Sequence, residues 1–163
     1  MRILLVYPYF LEERVHQEDV RAMPMGLYTI GAVLKAAGHE VALFNAYGFQ
    51  GQAERIRTLL ERFQPEVVGF SILNANRWGG IEIARLAKAI DAGIVTVFGG
   101  VGASFLWAHL LQHFPEVDYA VIGEGERTIL ALLDAIAADD DMALGRVAGL
   151  ARRIEGRPIA TPC

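Results

Sequence analysis

The chain has 163 residues, 53% of them apolar, with a mean hydropathy of +0.32 and a formal net charge of −4. This size and apolar content suit one domain with a buried core and exclude a disordered chain, while an acidic balance without a basic stripe argues against a nucleic-acid surface. The only cysteine is Cys163, which excludes an internal disulfide, a cysteine zinc site and an iron–sulfur cluster held by this chain alone, and makes a cytoplasmic setting the default.

The first ten residues, MRILLVYPYF, carry no small-residue cleavage site and read as a strand, Ile3–Val6, rather than a signal peptide. No apolar run approaches the ~20 residues of a membrane span. A long connection from Tyr7 to Met25 follows, read as a functional or disordered loop. Leu27, Ile30, Gly31 and Leu34 then fall at helical spacing, and Gly38 closes that helix before a strand at Val41–Phe44. Ile56, Leu59, Leu60 and Phe63 mark a second helix, Val67–Ile72 a third strand, and Ile83, Leu86, Ala87 and Ile90 a third helix. Ile94–Phe98 is the fourth strand, a helix from about Ala103 to His113 ends before Pro115, and Tyr119–Ile122 is the fifth strand. Ile129, Leu132, Leu133 and Ile136 mark the last long helix. The acidic tract Asp139-Asp140-Asp141 reads as a solvated loop, and Val147–Arg153 with Arg157–Thr161 flanks Glu155-Gly156 as a hairpin on the sheet edge.

Short, almost wholly apolar strands alternating with amphipathic helices predict an α/β fold. The expected form is a flavodoxin/Rossmann-like, doubly wound, five-stranded parallel sheet in the order 2-1-3-4-5, with a C-terminal hairpin. Residues 1–163 are taken as a single domain, with a core over 1–138 and the hairpin over 145–161.

In such sheets ligands bind beyond the carboxyl ends of the strands, at the switch point. The loops there are Ser71-Ile72-Leu73-Asn74, Gly99-Gly100-Val101-Gly102 and Gly123-Glu124-Gly125-Glu126, besides the one after Tyr7. Glycines leading into helices let a backbone approach a ligand and point free N–H groups at it, which suits a polar, uncharged or phosphate-bearing molecule. A dinucleotide fingerprint is missing, because Tyr7-Pro8-Tyr9-Phe10 after the first strand holds no glycine. A flavin phosphate loop, a phosphoryl-accepting aspartate at the end of strand three and a Walker sequence are missing too.

Ser71-Ile72-Leu73 followed, after residues 74–98, by Gly99-Gly100 resembles the Ser-x-Leu…Gly-Gly signature of cobalamin-binding domains. Met25-Gly26-Leu27, Ala36-Ala37-Gly38-His39-Glu40-Val41, Asp118 to Glu126 and Gly149-Leu150-Ala151-Arg152-Arg153 resemble one branch, the N-terminal B12-binding domain of cobalamin-dependent radical SAM enzymes. That resemblance covers essentially the whole chain. It implies a cobalamin whose nucleotide tail threads between strands one and three. Ser71 would bond a benzimidazole nitrogen, Leu73 would pack on the ring, and Gly99 and Gly100, with Val101 beside them, would leave room for the tail. Gly123, Glu124 and Gly125 would flank the tail or the corrin edge, and Asn74 and Asn76 would reach corrin amides. The Asp-x-His-x-x-Gly motif that supplies a lower cobalt ligand in another subfamily is absent; His16 is a solvated loop histidine sooner than a cobalt ligand, and Tyr9, Phe10 and Met25 would form an apolar lid.

Other features have plainer readings. His109 and His113 lie at i, i+4 without a third ligand and read as helix surface. Glu124 and Glu126 suit a helix N-terminus. Trp78 reads as a core anchor or pocket neighbour, and Arg77 as exposed or phosphate-facing. With no nucleophile–base pair in view, the chain is expected to bind cofactor and catalyse nothing alone. By the same resemblance the parent protein is a methyltransferase, or a cyclase of the anaerobic magnesium-protoporphyrin monomethyl ester type. A radical SAM domain, with its [4Fe-4S] cluster and S-adenosylmethionine, would be supplied in cis, this chain being a piece of a longer one, or in trans. A flavodoxin-like nucleotide or small-ligand domain and a cofactor-free interaction module remain the rival readings.

Overall fold

The structure, a computed structural model, describes residues 1–11 and 23–163. Five β-α units run in order: β1 (Arg2–Tyr7) and α1 (Met25–Ala36), β2 (Glu40–Asn45) and α2 (Ala53–Phe63), β3 (Val67–Ser71) and α3 (Arg77–Ile90), β4 (Val95–Gly99) and α4 (Gly100–His113), β5 (Tyr119–Val121) and α5 (Glu126–Ala137). A short α6 (Asp141–Leu144) leads to β6 (Leu150–Ile154) and β7 (Arg157–Ala160). The sheet order is β2-β1-β3-β4-β5-β6-β7, parallel through β5 and antiparallel for the last two strands. The expected 2-1-3-4-5 core with an appended hairpin is therefore what forms.

The continuous apolar strands follow from cover on both faces. Side chains alternate across the sheet. Ile3, Leu5, Val67, Val97 and Val121 pack on one side with Leu27 and Leu34 of α1 and with Ile129, Leu132 and Leu133 of α5. Leu4, Val6, Val68, Phe70 and Phe98 pack on the other side with residues of α2, α3 and α4, including Leu60, Ile83 and Leu110. Phe70 and Phe98 stack there with centroids 4.6 Å apart. Burying each such side chain contributes about 1.5–3 kcal/mol.

β5 has only three residues and shares two register pairs with β4, so polar contacts help to seat it. Thr96, fully buried in β4, donates its hydroxyl to the Glu116 carbonyl (2.5 Å) and accepts from the Asp118 N–H (3.1 Å). The Asp118 carboxylate in turn accepts from the Thr96 N–H (2.8 Å) and from Lys88 Nζ (2.6 Å). From β6, the Arg153 guanidinium donates to the carbonyls of Val117 (2.6 Å) and Pro115 (3.0 Å) just past the end of α4. These contacts fix where the three-residue β5 begins and hence where the loop 123–125 stands.

Two local expectations change. The acidic tract is not all loop: Asp140 accepts a hydrogen bond from the Ala143 N–H (2.9 Å) and caps α6, the role a short carboxylate plays best. The fourth helix begins at Gly100 rather than Ala103, because the Gly102 N–H bonds the Ile72 carbonyl (2.9 Å) and winds the glycines into the first turn.

Candidate cofactor-binding site

A cavity of about 440 Å³ opens at the carboxyl ends of the strands, on the face covered by α1 and α5. Its floor follows from strand register. Leu5, Gly69 and Val97 stand side by side on β1, β3 and β4. Two residues further along, Ser71 and Gly99 are paired on the same face. Leu27 and Ile30 of α1 and Ile129 of α5 close the sides. Leu5 lies across Gly69, where an added Cβ would be 2.8 Å from Leu5 Cδ2, so this wall is flat and apolar.

The glycines of the rim divide by the reason for their smallness. Gly100 has φ +85° and an added Cβ would stand 3.0 Å from the Ile72 carbonyl; at Gly102 it would stand 2.7 Å from the Leu73 carbonyl carbon. Both are demanded by the chain itself, so Gly100, although it lines the cavity, has a reason to be glycine apart from any ligand. Gly99 is different. Its backbone is extended (φ −135°, ψ −173°), open to any residue, and an added Cβ would meet only the Phe70 carbonyl, at 3.8 Å. Gly26, in the first turn of α1 and also lining the cavity, has nothing within 4 Å of an added Cβ although glycine weakens a helix by about 1 kcal/mol relative to alanine. Nothing in the fold requires glycine at 26 or 99; what the two have in common is the open space.

Ser71 Oγ has no hydrogen-bond partner among the described residues and lines this cavity. Ser104, by contrast, is engaged: its hydroxyl donates to the Gly100 carbonyl (3.3 Å) and accepts from the Gly123 N–H (3.0 Å), tying α4 to the loop before α5. Gly123, Glu124, Gly125 and Val101 line the mouth, with Phe105 beside them, 83% exposed. Glu126 occupies the first turn of α5, where a carboxylate favours the helix dipole.

Other expected site residues stand elsewhere. β1 and β3 are hydrogen-bonded neighbours from Ile3↔Val67 to Val6↔Phe70, so nothing threads between them; the space lies over the sheet face. Tyr9 crosses to the opposite core, buried with its hydroxyl donated to Glu82 (2.5 Å) and its backbone against Gly79. Asn76 is fully buried and holds the loop, accepting from the Leu73 N–H (2.7 Å) and donating to the Pro8 carbonyl (3.3 Å); it has no access to a corrin. Leu73 and Met25 are exposed outside the cavity wall, and Asn74 holds the Arg77 guanidinium. Trp78 packs on Phe114 across the sheet from the cavity. His16 lies outside the described residues. His109 and His113 contact each other at 4.6 Å between ring centroids, and no cluster of three or more metal-ligating side chains occurs among the described residues. No helix among them is long and apolar enough to cross a membrane.

Burial, and then the Glu82 carboxylate, raise the Tyr9 hydroxyl above its ordinary value of 10.0. The neutral form is the one the fold favours. Its contribution is complete below pH 10 and drains away as pH climbs through the folded-state value. Tyr119 shifts in the same direction, chiefly through burial. Tyr9→Phe should therefore lose less stability than the parent between about pH 8 and about pH 11, measured as urea midpoints. Equal alkaline losses would show that Tyr9 is not the titrating group.

A family model described as B12 binding domain matches residues 19–133. The chain belongs to the B12-binding domain family. As a member it is a cobalamin-binding module, and its cavity sits at the carboxyl ends of the strands. This B12-binding domain is 27% identical to the anaerobic magnesium-protoporphyrin IX monomethyl ester cyclase of Rubrivivax gelatinosus, over 99% of its own length and 30% of that protein's. It is 33% identical to the hopanoid C-3 methylase of Methylococcus capsulatus, over 72% of its own length and 23% of the methylase. The solved structure of the cobalamin-dependent S-adenosylmethionine radical enzyme OxsB with aqua-cobalamin bound matches with a TM-score of 0.77 at 19% identity, covering 99% of this chain and 22% of OxsB, which shows a shared fold. The domain thus spans less than a third of the length of each.

Sequence reasoning missed the floor: Leu5, Gly69 and Val97, with Leu27, Ile129 and Gly26 around them. One signal was available. Gly69 interrupts the bulky run Val67-Val68-Gly69-Phe70, and a glycine inside a buried strand marks a close approach.

Proposed function

We propose that the 440 Å³ cavity takes the nucleotide tail of cobalamin, leaving the corrin at the mouth between α4 and the loop 123–125. The observation that carries this is Gly99: an unstrained residue with no internal reason to be glycine, opening onto a cavity beside an unpartnered hydroxyl. The volume falls in the range of small-molecule sites, about 300–1,000 Å³, and suits part of the cofactor rather than all of it. Ser71 offers one donor to a ring nitrogen of the tail, Leu5, Val97 and Leu27 exclude water around the ring, and Val101 and Phe105 give the corrin an apolar edge. When bound, cobalamin supplies a cobalt centre able to carry a methyl group. No side chain from the described part of the loop after β1 offers a lower ligand, because Tyr9 turns to the far side of the sheet.

The parent activity is proposed from the relatives: a cobalamin-dependent radical SAM methyltransferase or cyclase, in which this domain holds the cofactor and a separate domain, in cis or in trans, holds the cluster and S-adenosylmethionine. One cysteine in 163 residues does not supply the cysteine set such a cluster needs. Titrating the chain with hydroxocobalamin tests the binding mode. The expected result is a saturable change towards the base-off absorption spectrum. Binding without that change would place the tail outside the cavity.

A further inference from the structure

We propose that this cavity selects the lower base of its cobalamin, preferring a benzimidazole to a purine; the inference rests on the tail reading above. The argument is a count of polar partners. The floor at the level of Leu5, Gly69 and Val97 offers hydrocarbon, and the side walls Leu27, Ile30 and Ile129 offer more. These residues belong to, or pack against, the buried core between the sheet and the α1/α5 layer. The nearest free side-chain hydroxyl is Ser71 Oγ, two residues up β3. The Ser104 hydroxyl is already engaged with Gly100 and Gly123, and Glu124 and Glu126, which also line the cavity, do so from the start of α5 and not from the floor strands.

A dimethylbenzimidazole has one ring nitrogen free to accept a hydrogen bond, and otherwise presents methyl groups and aromatic carbon. One hydroxyl satisfies it. An adenine adds two ring acceptors and an exocyclic amine. On this floor those groups lose water and gain no partner, and an unpaired buried polar group is costly. Apolar pockets discriminate against added polar groups by roughly ten- to a hundredfold. The same range is expected here.

The test uses the 163-residue chain and three probes: hydroxocobalamin, the corresponding adeninyl cobamide, and cobinamide, which lacks the nucleotide. Hydroxocobalamin should bind at least about tenfold more tightly than the adeninyl cobamide, and cobinamide more weakly than hydroxocobalamin. Equal affinity for the two complete cobamides, with cobinamide weak, would overturn the selectivity and leave the tail reading standing. Equal affinity for all three would overturn the tail reading and the selectivity together. Val97→Thr places a hydroxyl in the middle of the floor and should narrow the ratio between the two cobamides several-fold. A ratio unchanged in that variant would remove the floor as its cause.

Discussion

The Gly99→Phe variant should fold like the parent and lose the base-off spectral change on adding hydroxocobalamin. The two halves of this expectation come from separate observations. The backbone at 99 is extended, and an added Cβ meets nothing nearer than 3.8 Å, so stability should change by less than about 1 kcal/mol. The ring beyond that Cβ has the cavity as its available volume, and an occupied cavity of about 440 Å³ leaves no room for a second heterocycle. Affinity should fall by at least about a hundredfold, the equivalent of roughly 3 kcal/mol. Gly100→Ala is the control: at φ +85° and 3.0 Å from the Ile72 carbonyl it should lower the urea midpoint, whatever it does to binding. A Gly99→Phe protein that still shows parental base-off binding would take the tail out of this cavity.

Thr96→Val is expected to be the most damaging near-isosteric change in the sheet. The hydroxyl of Thr96 serves two backbone groups at once, the buried Glu116 carbonyl and the half-buried Asp118 N–H, and its residue is fully buried. Valine keeps the volume and leaves both groups without that partner. At about 1–3 kcal/mol for each orphaned group, the loss should be about 3 kcal/mol, a sizeable part of the 5–15 kcal/mol typical of a domain. Urea unfolding measures it directly. A midpoint shift worth less than about 1 kcal/mol would mean that the β4–β5 register stands without this latch.

The fold was legible because its pattern is redundant. Each of the five parallel strands is largely apolar, each long helix repeats at 3–4 residues, and parallel pairing leaves few topologies that satisfy both. The strand order came from the habit of such sheets, and the structure reproduces it. The site was legible only at its rim, where Ser71, Gly99 and the loop 123–125 end strands or start helices and so announce themselves locally. The floor is built by residues from three strands that meet only through register, such as Leu5 beside Gly69 and Gly69 beside Val97. Nothing local marks Leu5 as different from Leu4, although one faces the cavity side and the other the opposite core. Tyr9, Leu73 and Asn74 enter the expected site through the family resemblance, which implies contacts to the ring and the corrin. Where these residues stand is governed by the buried Asn76, which binds the backbone of Leu73 on one side and of Pro8 on the other and so sets the path of both loops.

The packing of α4 against the exit of β3 has an evolutionary consequence. Substitution at 100 or 102 is penalised by the polypeptide itself, so those two glycines should persist even in a descendant that has abandoned its vitamin. Position 99 carries no such internal penalty. In a lineage released from selection for the cofactor it would be among the first to drift towards larger side chains, and an intact Gly-x-Gly at 100–102 with a bulky neighbour before it would mark a sheet that has retired from the trade.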